Sequence, residues 1–442
     1  MQSTSTQAVV TAQPNQLKSK HAQALETISL IVEKLIPMGI THQSPDDDYF
    51  DGRLVHIKGR ELVNFSSCSY LGLETDERLK EGAIDAVRRY GTYFSSSRAY
   101  LTTKLYVELE SLLEQIFEKP VLLATSTMLG HVSNIPVIVG DNDAVILDHS
   151  VHASVQTCCE MLKARQIPVE MIRHSNLDML EDKIKKYKDT HEKVWYFADG
   201  VYSMHGDLLP VKEVYELMDR YENFYLYADD VHGMGWTGKH GSGSVRAQAP
   251  HHDKLYLATG LSKSFAAFGG VLVYPDEKMR NIVKYFGKTM TFCAPVQPPN
   301  LGAAVASAKI HTSPEIYSLH QRLLGKIKLF KSLAKAYELP LYSEAMTPVN
   351  FICMGKPEAG YYMVQELMNR GFYVSISCYP SVPYNQTGIR VPVTLHHTDA
   401  DIEAVIKAIA DIYPKALEIS GTSLKDVYRA FKLKLPQPVS GE

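Results

Sequence analysis

Between residues 120 and 275, short apolar runs alternate with longer helical segments, and this constrains the fold more than any other feature. VLLATS, DAVILDHS, PVEMIRH, KVWYFADG, FYLYADD and KLYLATG read as strands, and GGVLVYP as one more. MLGHVSNIPVIVG, VHASVQTCCEMLKARQ, LDMLEDKIKKYKDTH and PVKEVYELMDRYE read as the helices between them. A half-exposed strand alternates apolar and polar residues. Continuous apolar strands joined through helices instead predict an α/β fold with a largely parallel sheet and helices on both faces. In such folds ligands lie off the carboxyl ends of the strands.

Those ends carry the chemistry. VLLATS leads to Ser126 and Thr127. DAVILDHS ends in Asp148, His149 and Ser150, with His152 just beyond. KVWYFADG delivers Asp199 and then Ser203. FYLYADD delivers Asp229, Asp230 and His232. KLYLATG delivers Thr259, Ser262 and Lys263, and the last lies in the small-residue, apolar stretch LATGLSKSFAAFGG. Taken singly, Asp230 reads as a turn cap, His152 as a structural histidine and Lys263 as a surface lysine. Together, five strand ends place hydroxyls, imidazoles, carboxylates and one amine on one edge.

Composition narrows the options. The chain has 442 residues, more than one core usually supports, so at least two lobes are expected. Its 46 basic and 49 acidic residues leave a formal net charge of -3, with no electrostatic footprint for nucleic acid or membrane. No apolar run is long enough to span a bilayer. The six cysteines show no CxxC pair or zinc-ligand spacing, and Cys158 and Cys159 are adjacent. They read as reduced thiols of a cytoplasmic protein. About the first 20 residues read as a loose polar tail. HAQALETISLIVEKLIPMGI follows as an amphipathic helix, with Ala24, Ile28, Ile31 and Leu35 at helical spacing.

A lysine beside a helix start, with an aspartate and a histidine two strands away, suits pyridoxal 5′-phosphate (PLP). The PLP aldehyde bonds to a lysine amine, its ring nitrogen needs a carboxylate, and its phosphate prefers N–H groups at a helix start. VYSMHGDLLP, then ADDVHGMGWTGKHGSG and GLSKSFAAFGG, resemble the α-oxoamine synthase family of fold-type I PLP enzymes. NFSSCSYLGL, SSSRAYLTTKLYVELE and GIRVPVTLHHTDADIEAVI extend the resemblance over roughly residues 60 to 410. It implies a mostly parallel seven-stranded sheet with helices on both faces, plus a smaller C-terminal α/β domain. The expected division is 1–60 for the tail and amphipathic helix, 61–300 for the large PLP-binding domain, and 301–442 for the small domain with a surface tail. The resemblance also implies a homodimer with an interfacial active site.

By resemblance, Lys263 bonds to the cofactor, Asp229 pairs with its ring nitrogen and His232 donates to its ring oxygen. His152 matches the histidine stacked on the ring, and Ser203 a serine near the cofactor oxygen. Ser126, Thr127 and Met128 match the phosphate cradle, and Arg390 the arginine that holds the substrate carboxylate. The chain also departs from the family. Cys68 stands where an asparagine helps hold the amino acid. Gly260 stands where a phosphate-binding hydroxyl is usual, with Thr259 displaced by one. Pro295 stands where the neighbouring subunit supplies a threonine. The phosphate site is therefore expected to be rebuilt from Ser126, Thr127 and Thr259.

The activity implied is a decarboxylating condensation of an amino acid with an acyl-CoA. Its amino acid is glycine, alanine, serine or a less usual one, such as one carrying a sulfonate. The alternatives are another fold-type I activity, aminotransferase or aldolase-like, and a non-catalytic subunit of a heteromeric synthase.

Overall fold

The computed structural model describes residues 19–379 and 381–435. The loose tail expected at the N-terminus falls almost wholly outside these residues. The chain divides after Ser44 into two compact units. In the first, the helix Lys20–Leu35 begins at Ser19, whose hydroxyl accepts from the Ala22 N–H at 3.2 Å. It exposes Leu25, Ile28 and Leu30.

The second unit is built on two sheets. Strands β1 (Leu54–Ile57) and β2 (Arg60–Phe65) come first. They are followed by β3 (Val121–Ala124), β4 (Ala144–Asp148), β5 (Val169–Ile172), β6 (Val194–Asp199) and β7 (Phe224–Asp229). Next are β8 (Leu255–Gly260) and β9 (Gly270–Val273), then β10 (Phe351–Gly355), β11 (Phe372–Ser377) and β12 (Thr387–Arg390). The larger sheet runs β3-β9-β8-β7-β6-β4-β5, and only β9 opposes its neighbours. All seven strands correspond to the apolar runs of the sequence. Alternate residues feed two separate cores, as the pleat requires. In β6, Tyr196 enters one, while Trp195 and Phe197 enter the other. Burial on both faces is why these runs show no alternation.

The smaller sheet, β1-β2-β11-β12-β10, draws on both ends of the unit. β2 pairs in parallel with β11, Val63 opposite Phe372 and Phe65 opposite Val374. Residues 61–65, expected at the start of the large domain, thus lie in the sheet of the C-terminal strands. The C-terminal surface tail differs too. Residues Leu424–Phe431 form a helix started by a Ser423–Asp426 capping box, and its Val427, Tyr428 and Phe431 are buried. The Phe431 ring sits 5.9 Å from that of Phe351 in β10. Three apolar residues at helical spacing give this segment a face to bury. Among the described residues no helix is long and apolar enough to cross a membrane.

Candidate active site

The carboxyl ends of the larger sheet open onto a cavity of about 360 Å³. β3 passes into the helix Thr127–Ile138, whose first residues, Thr127 and Met128, line it. After β4, His152 lines it from the N-cap of the helix Ala153–Ala164. β6 contributes Asp199, β7 contributes Asp229 and His232, and the turn after β8 contributes Ser262 and Lys263. Five strand ends thus meet around one space, as their sequences anticipate.

Asp199 and Asp229 stand side by side in the parallel β6–β7 register. Their settings differ. Asp229 accepts the Val231 N–H at 3.2 Å and faces His131 Nε2 at 3.0 Å. Burial alone would raise its carboxyl, but the His131 hydrogen bond and charge outweigh that and hold it below the usual range. Asp199 accepts only the His152 backbone N–H at 3.0 Å. Burial, and then the Asp229 charge, push Asp199 well above the carboxylate range and favour its protonated form. His131 is fully buried, with Nδ1 2.6 Å from the Tyr227 hydroxyl. Sequence reasoning missed it. It lies mid-helix, three residues past the cradle, and only helical periodicity aimed at β7 could have flagged it.

The two imidazoles of the cavity are each held at Nδ1. His152 Nδ1 accepts from the Ser154 hydroxyl at 2.6 Å and the Ser154 N–H at 3.3 Å, so Nε2 carries the proton. His232 Nδ1 lies 2.7 Å from the Tyr70 hydroxyl. Burial raises the Tyr70 phenol well above its usual value, so it stays protonated. With the phenol donating to Nδ1, His232 presents Nε2–H as a donor. Burial, then the charges of Lys263 and Arg390, keep it neutral. Lys263 is itself lowered, by burial first and by Arg390, against the opposing charge of Asp229. A lowered amine is neutral more of the time and so more nucleophilic.

Arg390, at the end of β12, adjoins this group. Its Nε donates to the Ser203 carbonyl at 2.8 Å, and both terminal nitrogens point at Cys68 Sγ, each 3.4 Å away. Ser203 thus meets Arg390 through its backbone, and it is not among the residues lining the cavity. The turn bearing Ser203 is braced by a bridge the sequence did not reveal. His174 lies between Asp148 (Nδ1, 2.9 Å) and Asp207 (Nε2, 2.6 Å). Burial opposes the charge on His174, yet the two carboxylates raise it to about 10. Its stabilisation is complete below the unfolded histidine value of about 6.5 and is lost as pH rises through about 10. His174→Gln is expected to cost about 3–5 kcal/mol at neutral pH. Denaturant curves of the two proteins should converge above pH 10; a gap that persists there would contradict the charge account.

Two members of the expected phosphate site do not face the cavity. The Thr259 hydroxyl donates to the Asp230 carbonyl at 3.2 Å, because strand alternation turns it to the other face. Ser126 Oγ serves as the N-cap, accepting the Leu129 N–H at 3.3 Å, and Ser126 is not among the residues lining the cavity.

The donor set fits PLP: an amine, an ionised carboxylate, an imidazole donor and a helix start, with no competing metal-type ligand cluster among the described residues. The backbone fits as well. A Cβ on Gly270 would lie 2.6 Å from the Thr127 backbone nitrogen, so only glycine lets β9 close against the helix start. Fold and site together define a fold-type I PLP-dependent transferase. Comparison with known proteins agrees: residues 60–409 match the family described as aminotransferase class I and II. An 8-amino-7-oxononanoate synthase of Thermosipho melanesiensis is 30% identical over 369 residues, 82% of this chain and 91% of that protein. Another, of Thermoanaerobacter pseudethanolicus, is 28% identical over 80% of this chain and 89% of its own length. A serine palmitoyltransferase of S. paucimobilis superposes with a TM-score of 0.81 at 22% identity, covering 89% of this chain and 99% of that one. The chain belongs to the aminotransferase class I and II family, and within it to the α-oxoamine synthases, which are PLP-dependent acyltransferases.

Proposed function

We propose that the protein condenses an amino acid with an acyl-CoA, releasing CoA and CO₂ and leaving an α-amino ketone. The observation that carries this is the meeting of Lys263, Asp229, His232 and His152 in one cavity with Arg390 beside it. PLP bound through Lys263 supplies an electron sink for the amino acid Cα. The side chains do the rest. With the cofactor bound, Asp229, held ionised by His131, would keep a proton on the ring nitrogen, His232 would donate to the ring oxygen, and the His152 imidazole would cover the ring face. Lys263 Nζ, freed when the substrate amine takes its place, would take the Cα proton. The two terminal nitrogens of Arg390 converge on one spot and suit the two oxygens of a carboxylate. Cys68 sits at that spot in place of an amide donor, so the amino acid is selected there more by charge than by hydrogen bonding.

The test is release of free thiol from an acyl-CoA chain-length series on adding glycine, alanine, serine or a sulfonate-bearing amino acid. Release should require both partners. Formation of an oxo acid from the amino acid, without CoA release, would replace this reading with transamination.

The same reading includes a homodimer. Ser97 donates to the Thr291 carbonyl at 2.5 Å and joins two segments that expose Tyr93, Tyr100, Leu101 and Phe292. Phe292 is 86% and Tyr100 83% exposed, the kind of apolar surface a partner covers. Light scattering that returned the mass of one chain would remove this element.

A further inference from the structure

The helix Thr127–Ile138 starts in a narrow gap between the ends of β8 and β9. Its leading N–H groups have no partners within the helix, and the helix dipole favours an anion there. On the β9 side Gly270 makes room for the backbone, as described above. On the β8 side the neighbour is Gly260. A Cβ at residue 260 would lie 2.8 Å from Thr127 Oγ1 and 3.1 Å from Val231 Cγ1. The Thr127 side chain therefore occupies the volume that any side chain at residue 260 would need. The gap holds one hydroxyl, contributed from the helix or from the strand but not from both.

Ser262 also lines the cavity, from the turn after β8, while the hydroxyls of Thr259 and Ser126 have other partners. Thr259 faces Asp230, and Ser126 caps its own helix. Thr127 lines the cavity and makes one contact, a donation of 3.2 Å to the Thr259 carbonyl. That is long for an O–H donor. A hydroxyl rotates freely and donates more strongly to an anion than to a neutral carbonyl.

We infer that Thr127 supplies the side-chain hydroxyl that holds the cofactor phosphate, in space left open by Gly260, so that the two positions form one exchangeable unit. The inference rests on the cavity being the PLP site. It assigns the ligand as a phosphate monoester dianion met by helix N–H groups and the Thr127 hydroxyl. It also accounts for a threonine and a glycine standing where either alone would be out of place.

The experiment titrates full-length protein, freed of cofactor, with PLP and separately with pyridoxal, which lacks the phosphate. Cofactor absorbance and protein fluorescence are the readouts. Thr127→Val keeps the shape and removes the hydroxyl, and should weaken PLP binding about 10- to 100-fold, as for loss of a hydrogen bond to a charged group. Thr127→Ser should stay within about threefold of wild type, and pyridoxal binding should be the same in all three proteins. Gly260→Thr alone overfills the gap and is expected to bind poorly or fold poorly. The exchange Thr127→Gly with Gly260→Thr should recover most of the affinity. Wild-type PLP affinity in Thr127→Val, an equal loss for pyridoxal, or no recovery in the exchanged protein would overturn the inference while leaving the cofactor site in place. If wild type itself gained no absorbance with PLP and borohydride fixed no cofactor to Lys263, the cofactor reading would fall, and the inference with it.

Discussion

Lys263→Ala is expected to abolish turnover while leaving the fold intact. Loss of the base alone costs about 10²–10⁴-fold, and loss of the covalent anchor adds to that. Among the described residues no other lysine lines the cavity, so none can substitute. The fold should tolerate the change. The Lys263 side chain is held by burial and distant charges rather than by a hydrogen bond, so truncation orphans no partner. Borohydride reduction followed by mass spectrometry should place the cofactor on the Lys263 peptide of wild type and on no peptide of the variant. Lys263→Arg should be equally inactive, because a guanidinium does not deprotonate at working pH. Turnover of Lys263→Ala within tenfold of wild type would refute the assignment. So would a wild-type adduct on another lysine.

The reach of the sequence can be seen strand by strand. β3 to β9 are legible because each is buried on both faces, which leaves an unbroken apolar run. β1 and β2 were not, because LVHI and RELVNF are short and partly exposed, and β2 finds β11 some 300 residues along the chain. No local pattern encodes such a pairing. The DD pair at 229–230 shows a second limit. Alternation sends adjacent side chains to opposite faces, yet the sequence alone does not say which faces the cavity. The structure sends Asp230 inward, where it accepts from the Ser244 hydroxyl and the Val245 N–H. A Cβ on Gly233 would lie 2.1 Å from its Oδ1 and one on Gly243 2.3 Å from its Oδ2, so these two glycines of the HGMG and HGSG stretches make room for Asp230. His131 and His174 went unread for a related reason. Each acts through a carboxylate that is remote in sequence, and a lone histidine carries no signal until the fold supplies its partner.

Asp229 and Asp199 give the second large effect, because the same substitution should be severe at one and nearly neutral at the other of two paired positions. Both carboxylates line the cavity and share a register pair. Two such groups in one buried space do not both ionise, and the partners decide which one does. Asp229 has His131 at 3.0 Å; Asp199 has only a backbone N–H. Asp229→Asn removes the buried charge that faces the cofactor nitrogen and should cost about 2–5 kcal/mol, or about 30- to 5,000-fold in rate. Asp199→Asn replaces a carboxyl whose neutral form burial favours with a neutral amide of the same shape that still accepts the His152 N–H. It should remain within about threefold of wild type. Asp199→Ala, which orphans that N–H and frees His152, should lose more than Asp199→Asn. The cofactor spectrum separates chemistry from packing: its pH dependence should shift in Asp229→Asn and hold in Asp199→Asn. His131→Phe ties the pair together. With the donor to Asp229 gone, the carboxyls lose their asymmetry and the Asp229 proton affinity rises, so the same spectral shift should appear without any change to either aspartate. Equal losses in Asp199→Asn and Asp229→Asn would mean that the two carboxylates act as one charged pair, and the division of roles set by His131 would not stand.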